Sequence, residues 1–187
     1  MCGRYNFDSD DDNLFEILNA LNGQVFHTGE IFPTNSAPVL VSRGNSLTPE
    51  VMSWGFPQFG GRSGVIINAR AETALEKKMF QKAVIERRCV IPSSGFYEWK
   101  HDKTKRKFLF TLPEKSALYM AGIFGEFNGV KKYVILTTQP NKSIADVHNR
   151  MPLVIEKSNL LDWVFNNEAA VKLLHQTPPE LIRRAVS

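Results

Sequence analysis

Hydrophobic and polar positions alternate along the first seven residues, which predicts a short strand over 1–7. Leu14, Phe15, Ile17, Leu18 and Leu21 then recur at the helical period, with Asp8 or Ser9 as an N-cap and Asn22-Gly23 as the stop. Residues 24–37 carry Pro33 and no period, and read as an irregular segment. Val39–Arg43 and Glu50–Trp54, joined by a turn at Gly44-Asn45, predict a hairpin, and a glycine-rich loop follows from Pro57 to Gly64. Glu72–Arg87 is predicted mostly helical. The next stretch is rich in strands: Cys89–Ile91, Gly95–Lys100, Lys107–Leu112, Leu118–Ile123 and Lys132–Thr137, with turn signals at His101-Asp102-Lys103, Pro113-Glu114-Lys115 and Asn128-Gly129. Pro152–Ile155 adds a short strand. Ser158 can cap a helix through Leu160, Leu161, Trp163 and Val164, and a last helix covers Ala169–Leu174.

Strands in runs, flanked by helices without regular alternation, predict an α+β fold. The sheet is expected to be curved and largely antiparallel, with dense turns that suit a β-barrel-like core flanked by helices. The chain has 187 residues, 43% of them hydrophobic, so one domain spanning 1–187 can bury a core without staples. No apolar run approaches a membrane span, and the start of the chain lacks a secretory pattern, so a cytoplasmic address is expected.

The net charge is +4, with Asp8, Asp10, Asp11 and Asp12 clustered near the start, so the remainder is more basic than the total. That balance suits solubility or a polyanionic partner. Only Cys2 and Cys89 are present, without metal-ligand spacing, so neither a metal site nor a disulfide framework is expected. Cys89 lies in the apolar run Arg88-Cys89-Val90-Ile91 and reads as a core thiol.

Cys2 is different. Removal of Met1 would place a thiol and an α-amine on adjacent carbons. Such a pair can condense with an aldehyde to an imine and close to a thiazolidine, or attack an amide with the amine as base. Glu98 sits among aromatics in Gly95-Phe96-Tyr97-Glu98-Trp99. It either points to water by alternation or is buried with a raised pKa suited to proton transfer. His148, in Asp146-Val147-His148-Asn149-Arg150-Met151-Pro152, is a proton carrier or a structural histidine. Asn68, after Val65-Ile66-Ile67, either caps the following helix or aims an amide at a reacting group. Cys2, Asn68 and His148 each precede an arginine by two residues: Arg4, Arg70 and Arg150. In extended chain such pairs share a face about 6.5 Å apart, and guanidinium groups suit phosphate oxygens. A phosphate-lined groove over a reactive centre is therefore expected. Trp54, in Ser53-Trp54-Gly55-Phe56-Pro57, is either a core residue or a base-stacking one.

Together these segments resemble the SRAP family, the SOS response-associated peptidase or abasic-site-processing proteins. The resemblance rests on Met1-Cys2-Gly3-Arg4, Trp54-Gly55-Phe56, Asn68-Ala69-Arg70-Ala71-Glu72, Arg88-Cys89 with Pro92 and Gly95-Phe96-Tyr97-Glu98-Trp99, and His148-Asn149-Arg150-Met151-Pro152. It implies a single α+β domain acting as a monomer on single-stranded DNA with abasic sites, including junctions with duplex. It implies a thiazolidine crosslink between the aldehyde and Cys2, lyase-type activity, and a peptidase activity limited to removal of its own Met1. Catalytic roles fall on Cys2, Asn68, Glu98 and His148; DNA contacts fall on Arg4, Arg70, Arg150, Trp54, Phe56 and Pro33. No cofactor and no metal are implied, and in a bacterium the cytoplasmic protein would associate with the nucleoid. Two rivals stand beside this reading: an N-terminal nucleophile (Cys) amidohydrolase, and a non-catalytic single-strand binding module.

Overall fold

The computed structural model describes residues 3–58, 60, 62–113 and 116–186. Along the chain the elements are β1 (Tyr5–Phe7), α1 (Phe15–Ala20), β2 (Gly29–Ile31), β3 (Ser36–Arg43), β4 (Ser46–Trp54), β5 (Phe56–Pro57), β6 (Val65–Ile66) and β7 (Asn68–Arg70). Then come α2 (Lys78–Glu86), β8 (Arg88–Ser93), β9 (Gly95–Trp99), β10 (Lys107–Thr111), β11 (Leu118–Phe127) and β12 (Val130–Thr138). β13 (Met151–Pro152), β14 (Val154–Ile155), α3 (Leu160–Phe165), α4 (Asn167–Leu173) and β15 (Ile182–Val186) complete the chain.

The run Arg88–Ser93 is buried at every position, so β8 is covered on both faces rather than on one. It pairs with β11 on one side and β3 on the other. β3 forms a hairpin with β4, and β12 joins β4 to β11. The ring β12-β4-β3-β8-β11 therefore closes on itself, giving the barrel expected from the sequence. Closure removes free edges from these strands. The β12–β4 pairing is parallel, the departure from an otherwise antiparallel ring. A second sheet, β15-β10-β9-β1-β2, packs beside it.

Close packing dictates composition at the barrel wall. Gly122 on β11 leaves no room for a Cβ, which would lie 2.3 Å from Ile91 Cδ1 and 3.0 Å from the Val134 carbonyl. The buried Arg88 guanidinium donates to the Val84 and Ile85 carbonyls at 2.7 and 2.8 Å, to Val164 at 3.1 Å, and to Trp163. It thereby satisfies carbonyls left open at the ends of α2 and α3 and ties both helices to β8. Cys89 beside it is fully buried, and burial pushes its thiol far up, as a core thiol requires.

The structure decides three local readings. The segment 24–37 contains β2, which pairs with β1. The span 72–87 is mostly helical as expected, in two pieces: a 3-10 turn at Ala71–Thr73, where Arg150 holds Glu72, and then α2. Asn68 does not cap a helix but lies in β7, opposite Ile135 of β12.

Candidate active site

Strand alternation places Glu98. On β9, Phe96 and Glu98 face inward while Tyr97 and Trp99 face the other side. Glu98 is 3% exposed, and desolvation pushes its carboxyl up to about 7. The sequence left Glu98 open between water and burial; the fold buries it.

The His148 turn is built by Asn141. Its side-chain amide donates to the Pro178 and Pro179 carbonyls at 3.0 and 2.9 Å, and its Oδ1 accepts from the Ser143 N–H at 3.0 Å. The His148 N–H donates to the Ile144 carbonyl at 3.0 Å. His148 Nε2 then lies 4.0 Å from Glu98 Oε2. The Arg150 backbone meets His148 Nδ1 through its N–H at 3.0 Å and its carbonyl at 3.1 Å, which orients the ring with Nε2 toward Glu98. Burial pushes the imidazole down, and His101 adds repulsion when charged. The His101 ring meets His148 edge to face at 4.6 Å, beside a cavity of about 270 Å³. The pair can hold one proton between a carboxyl and an imidazole, each displaced toward its uncharged form.

Topology brings the Asn68 and His148 segments together. β4 and β11 flank the first part of β12; further along, β7 and β13 take their places. Arg70 and Pro152 both stand opposite Thr137. Arg150, 7% exposed, then locks the two segments. It holds Glu72 bidentately at 2.7 and 2.8 Å and donates to the Thr137 carbonyl at 2.5 Å. The guanidinium holds the Glu72 carboxyl below its ordinary range.

The three arginines thus differ. Arg70 is exposed. Arg4 is half-buried, bonded to Glu30 at 3.1 Å and set over the rings of Phe32 and Trp99. Arg150 faces inward, so the expectation that all three line an open groove is corrected: its charge is compensated inside the protein by Glu72. The aromatic shelf is corrected as well. Trp54 is 0% and Phe56 2% exposed. Trp54 donates from Nε1 to the Ile67 carbonyl at 3.0 Å, stacks on Tyr133, and meets Tyr5, whose hydroxyl bonds that of Tyr133 at 2.7 Å. Phe56 packs against Phe127 and Phe80. Trp54 joins the barrel to β1. Gly55, at φ +114°, makes the turn out of β4 while its N–H donates to the Tyr133 carbonyl. Pro33 is half-buried in the loop after β2.

Cys2 lies outside the described residues, as do Phe59 and Gly61 of the glycine-rich loop. Among the described residues no metal-holding group of His, Cys, Asp or Glu occurs, and no helix is long and apolar enough to cross a membrane. Sequence reasoning assigned no role to Glu72, Asn141 or His101. The signal for Glu72 was present, an acidic residue two positions after Arg70, but its partner is 78 residues away.

The family model described as SOS response associated peptidase (SRAP) matches residues 1–187. The chain is 33% identical to "Abasic site processing protein YoqW" of Bacillus subtilis, over 88% of this chain and 80% of that one. It is 30% identical to "Abasic site processing protein YoaM" of the same organism, over 88% and 79%. A crystal structure of a Bordetella bronchiseptica protein superposes with a TM-score of 0.84 at 20% identity, covering 100% of both chains. That likeness establishes the fold.

Proposed function

The chain belongs to the SRAP family, and from that premise we propose that it captures abasic sites in single-stranded DNA through its mature N-terminal cysteine. The observation that carries the proposal is the buried Glu98–His148 pair at 4.0 Å, with the carboxyl raised to about 7. Imine formation at neutral pH needs a group that can both give and take a proton, and such a pair meets that need.

The steps follow from the chemistry. Hydrolysis of the Met1–Cys2 peptide bond by the protein itself frees the α-amine. That amine attacks the C1′ aldehyde carbon of the opened sugar. Glu98 gives a proton to the carbinolamine oxygen, which leaves as water, and the imine forms. The Cys2 thiol gives its proton to the Glu98 carboxylate, the thiolate adds to the carbon of the protonated imine, the C=N electron pair returns to nitrogen, and a thiazolidine closes. His148 exchanges protons with Glu98 and assists reversal of the ring. Asn68 organises the reacting centre with its amide. An imine that persists permits β-elimination of the 3′ phosphate, the lyase branch, and ring closure suppresses it. Arg70 and Arg4 contact the DNA backbone, and Pro33 borders the bases. Arg150 acts through His148: its guanidinium fixes the segment on Glu72 and Thr137, and its backbone holds the imidazole ring.

The test is a denaturing gel and intact mass with an oligonucleotide carrying one abasic site. An adduct that survives denaturation, needs both the lesion and Cys2, and lacks the mass of Met1 is the expected result. Its absence from folded wild-type protein that has lost Met1, or its persistence in Cys2→Ala, overturns the proposal.

A further inference from the structure

Phe32 is a large hydrophobic residue left 41% exposed although the Arg4 guanidinium covers one side of its ring at 4.2 Å. The same guanidinium lies 4.9 Å from the ring of Trp99. Phe32, Arg4 and Trp99 thus form a layered stack whose outermost member is Phe32. Lys107 extends it, 4.2 Å from the Tyr97 ring centroid and 5.8 Å from that of Trp99.

The stack is held from below. Glu30 receives Arg4 on one carboxylate oxygen at 3.1 Å and Lys107 on the other at 2.5 Å. Two cations thus share the one Glu30 carboxylate. The loop bearing Phe32 is fixed by its own backbone. Asn35 accepts the Phe32 N–H at its Oδ1, 2.9 Å away, and returns its own N–H to the Phe32 carbonyl at 3.0 Å. Thr34, at φ +74°, donates to the Trp54 carbonyl at 2.8 Å, and Trp54 donates to the Asn35 carbonyl at 2.9 Å. Phe32 is therefore presented on a rigid turn anchored to the barrel, and it needs little ordering to bind.

We propose that Phe32 is a stacking platform for an unpaired nucleobase neighbouring the lesion, with Arg4 and Lys107 drawing in the adjoining phosphates. The proposal rests on the DNA-binding reading above and deepens it. An exposed ring backed by cations suits a planar, electron-rich base carried on a polyanion. Trp54, buried in the barrel, leaves that stacking role open.

The experiment uses single-stranded oligonucleotides with a tetrahydrofuran abasic analogue, which has no aldehyde, flanked by 2-aminopurine on the 5′ or the 3′ side. Phe32→Ala is expected to weaken binding roughly 5- to 100-fold, the range one base–aromatic stack supports. It should also restore 2-aminopurine emission on one side of the lesion. Phe32→Trp should keep both affinity and quenching; Phe32→Leu should not. Equal affinity and equal emission in all four proteins, on both flanks, would overturn the platform. A parallel gel with the natural abasic site separates the two readings. Phe32-dependent binding without any wild-type adduct would sink the crosslinking proposal and leave the platform standing.

Discussion

Glu98→Gln removes a carboxyl that folding holds at about 7 against an ordinary 4.5. Between those values the folded state keeps the proton and the unfolded chain has lost it. The wild type therefore has its full stability below the unfolded value and loses stability as pH rises through about 7. A gap of about 2.5 pH units at about 1.4 kcal/mol each amounts to roughly 3–4 kcal/mol. His148, pushed down by burial, is neutral in the upper part of that range and supplies no compensating charge. The variant keeps the shape and titrates nothing at this position. The two proteins should be nearly equal in stability near pH 4.5, and Glu98→Gln should be more stable by roughly 3–4 kcal/mol at pH 8. Urea unfolding at both pH values, on proteins matched by mass for the same N-terminus, measures the difference between the slopes. The variant should also form adduct much more slowly while keeping its non-covalent affinity. Parallel pH slopes in the two proteins, or a variant less stable than wild type at pH 8, would refute the assignment of a buried, protonated Glu98.

Other outcomes follow from the same contacts. Arg150→Met breaks the bidentate pair with Glu72 and the bonds to Thr137, and should cost about 2 kcal/mol by chemical denaturation. Glu72 is held below its ordinary range, so its contribution is present above the unfolded value and is lost as pH falls through the folded one; Glu72→Gln should flatten that acid limb of the stability curve. Trp54→Phe loses the bond to Ile67 and the stack on Tyr133, and should lower stability by roughly 1–3 kcal/mol in thermal unfolding. At temperatures where that variant is folded, its affinity for single-stranded DNA and the salt dependence of that affinity should match wild type; a selective loss of DNA binding would return Trp54 to the surface.

Local pattern determined much of this protein. The hairpin of β3 and β4, the strands from β8 to β12 and helices α1, α3 and α4 follow from periodicity and turn residues, which act over a few positions. The catalytic candidates were legible because each is a reactive group in unusual company: Cys2 behind Met1, Glu98 among aromatics, His148 before Asn149-Arg150. What the sequence could not decide was the direction a side chain faces when either choice suits its strand. Glu98 is buried because β9 lies between β1 and β10 and turns that face inward. Trp54 is buried because the Tyr5–Tyr133 contact closes over it from two different sheets. Arg150 turns away from solvent because Glu72, on the other side of β12, neutralises it. β2 and β15 exist through partners distant in sequence; β15 has every residue but its last exposed and no alternation to announce it. Short-range periodicity is written in the chain itself. Burial, ion pairing and the pKa values that follow depend on which segments meet, and only the closed barrel decides that.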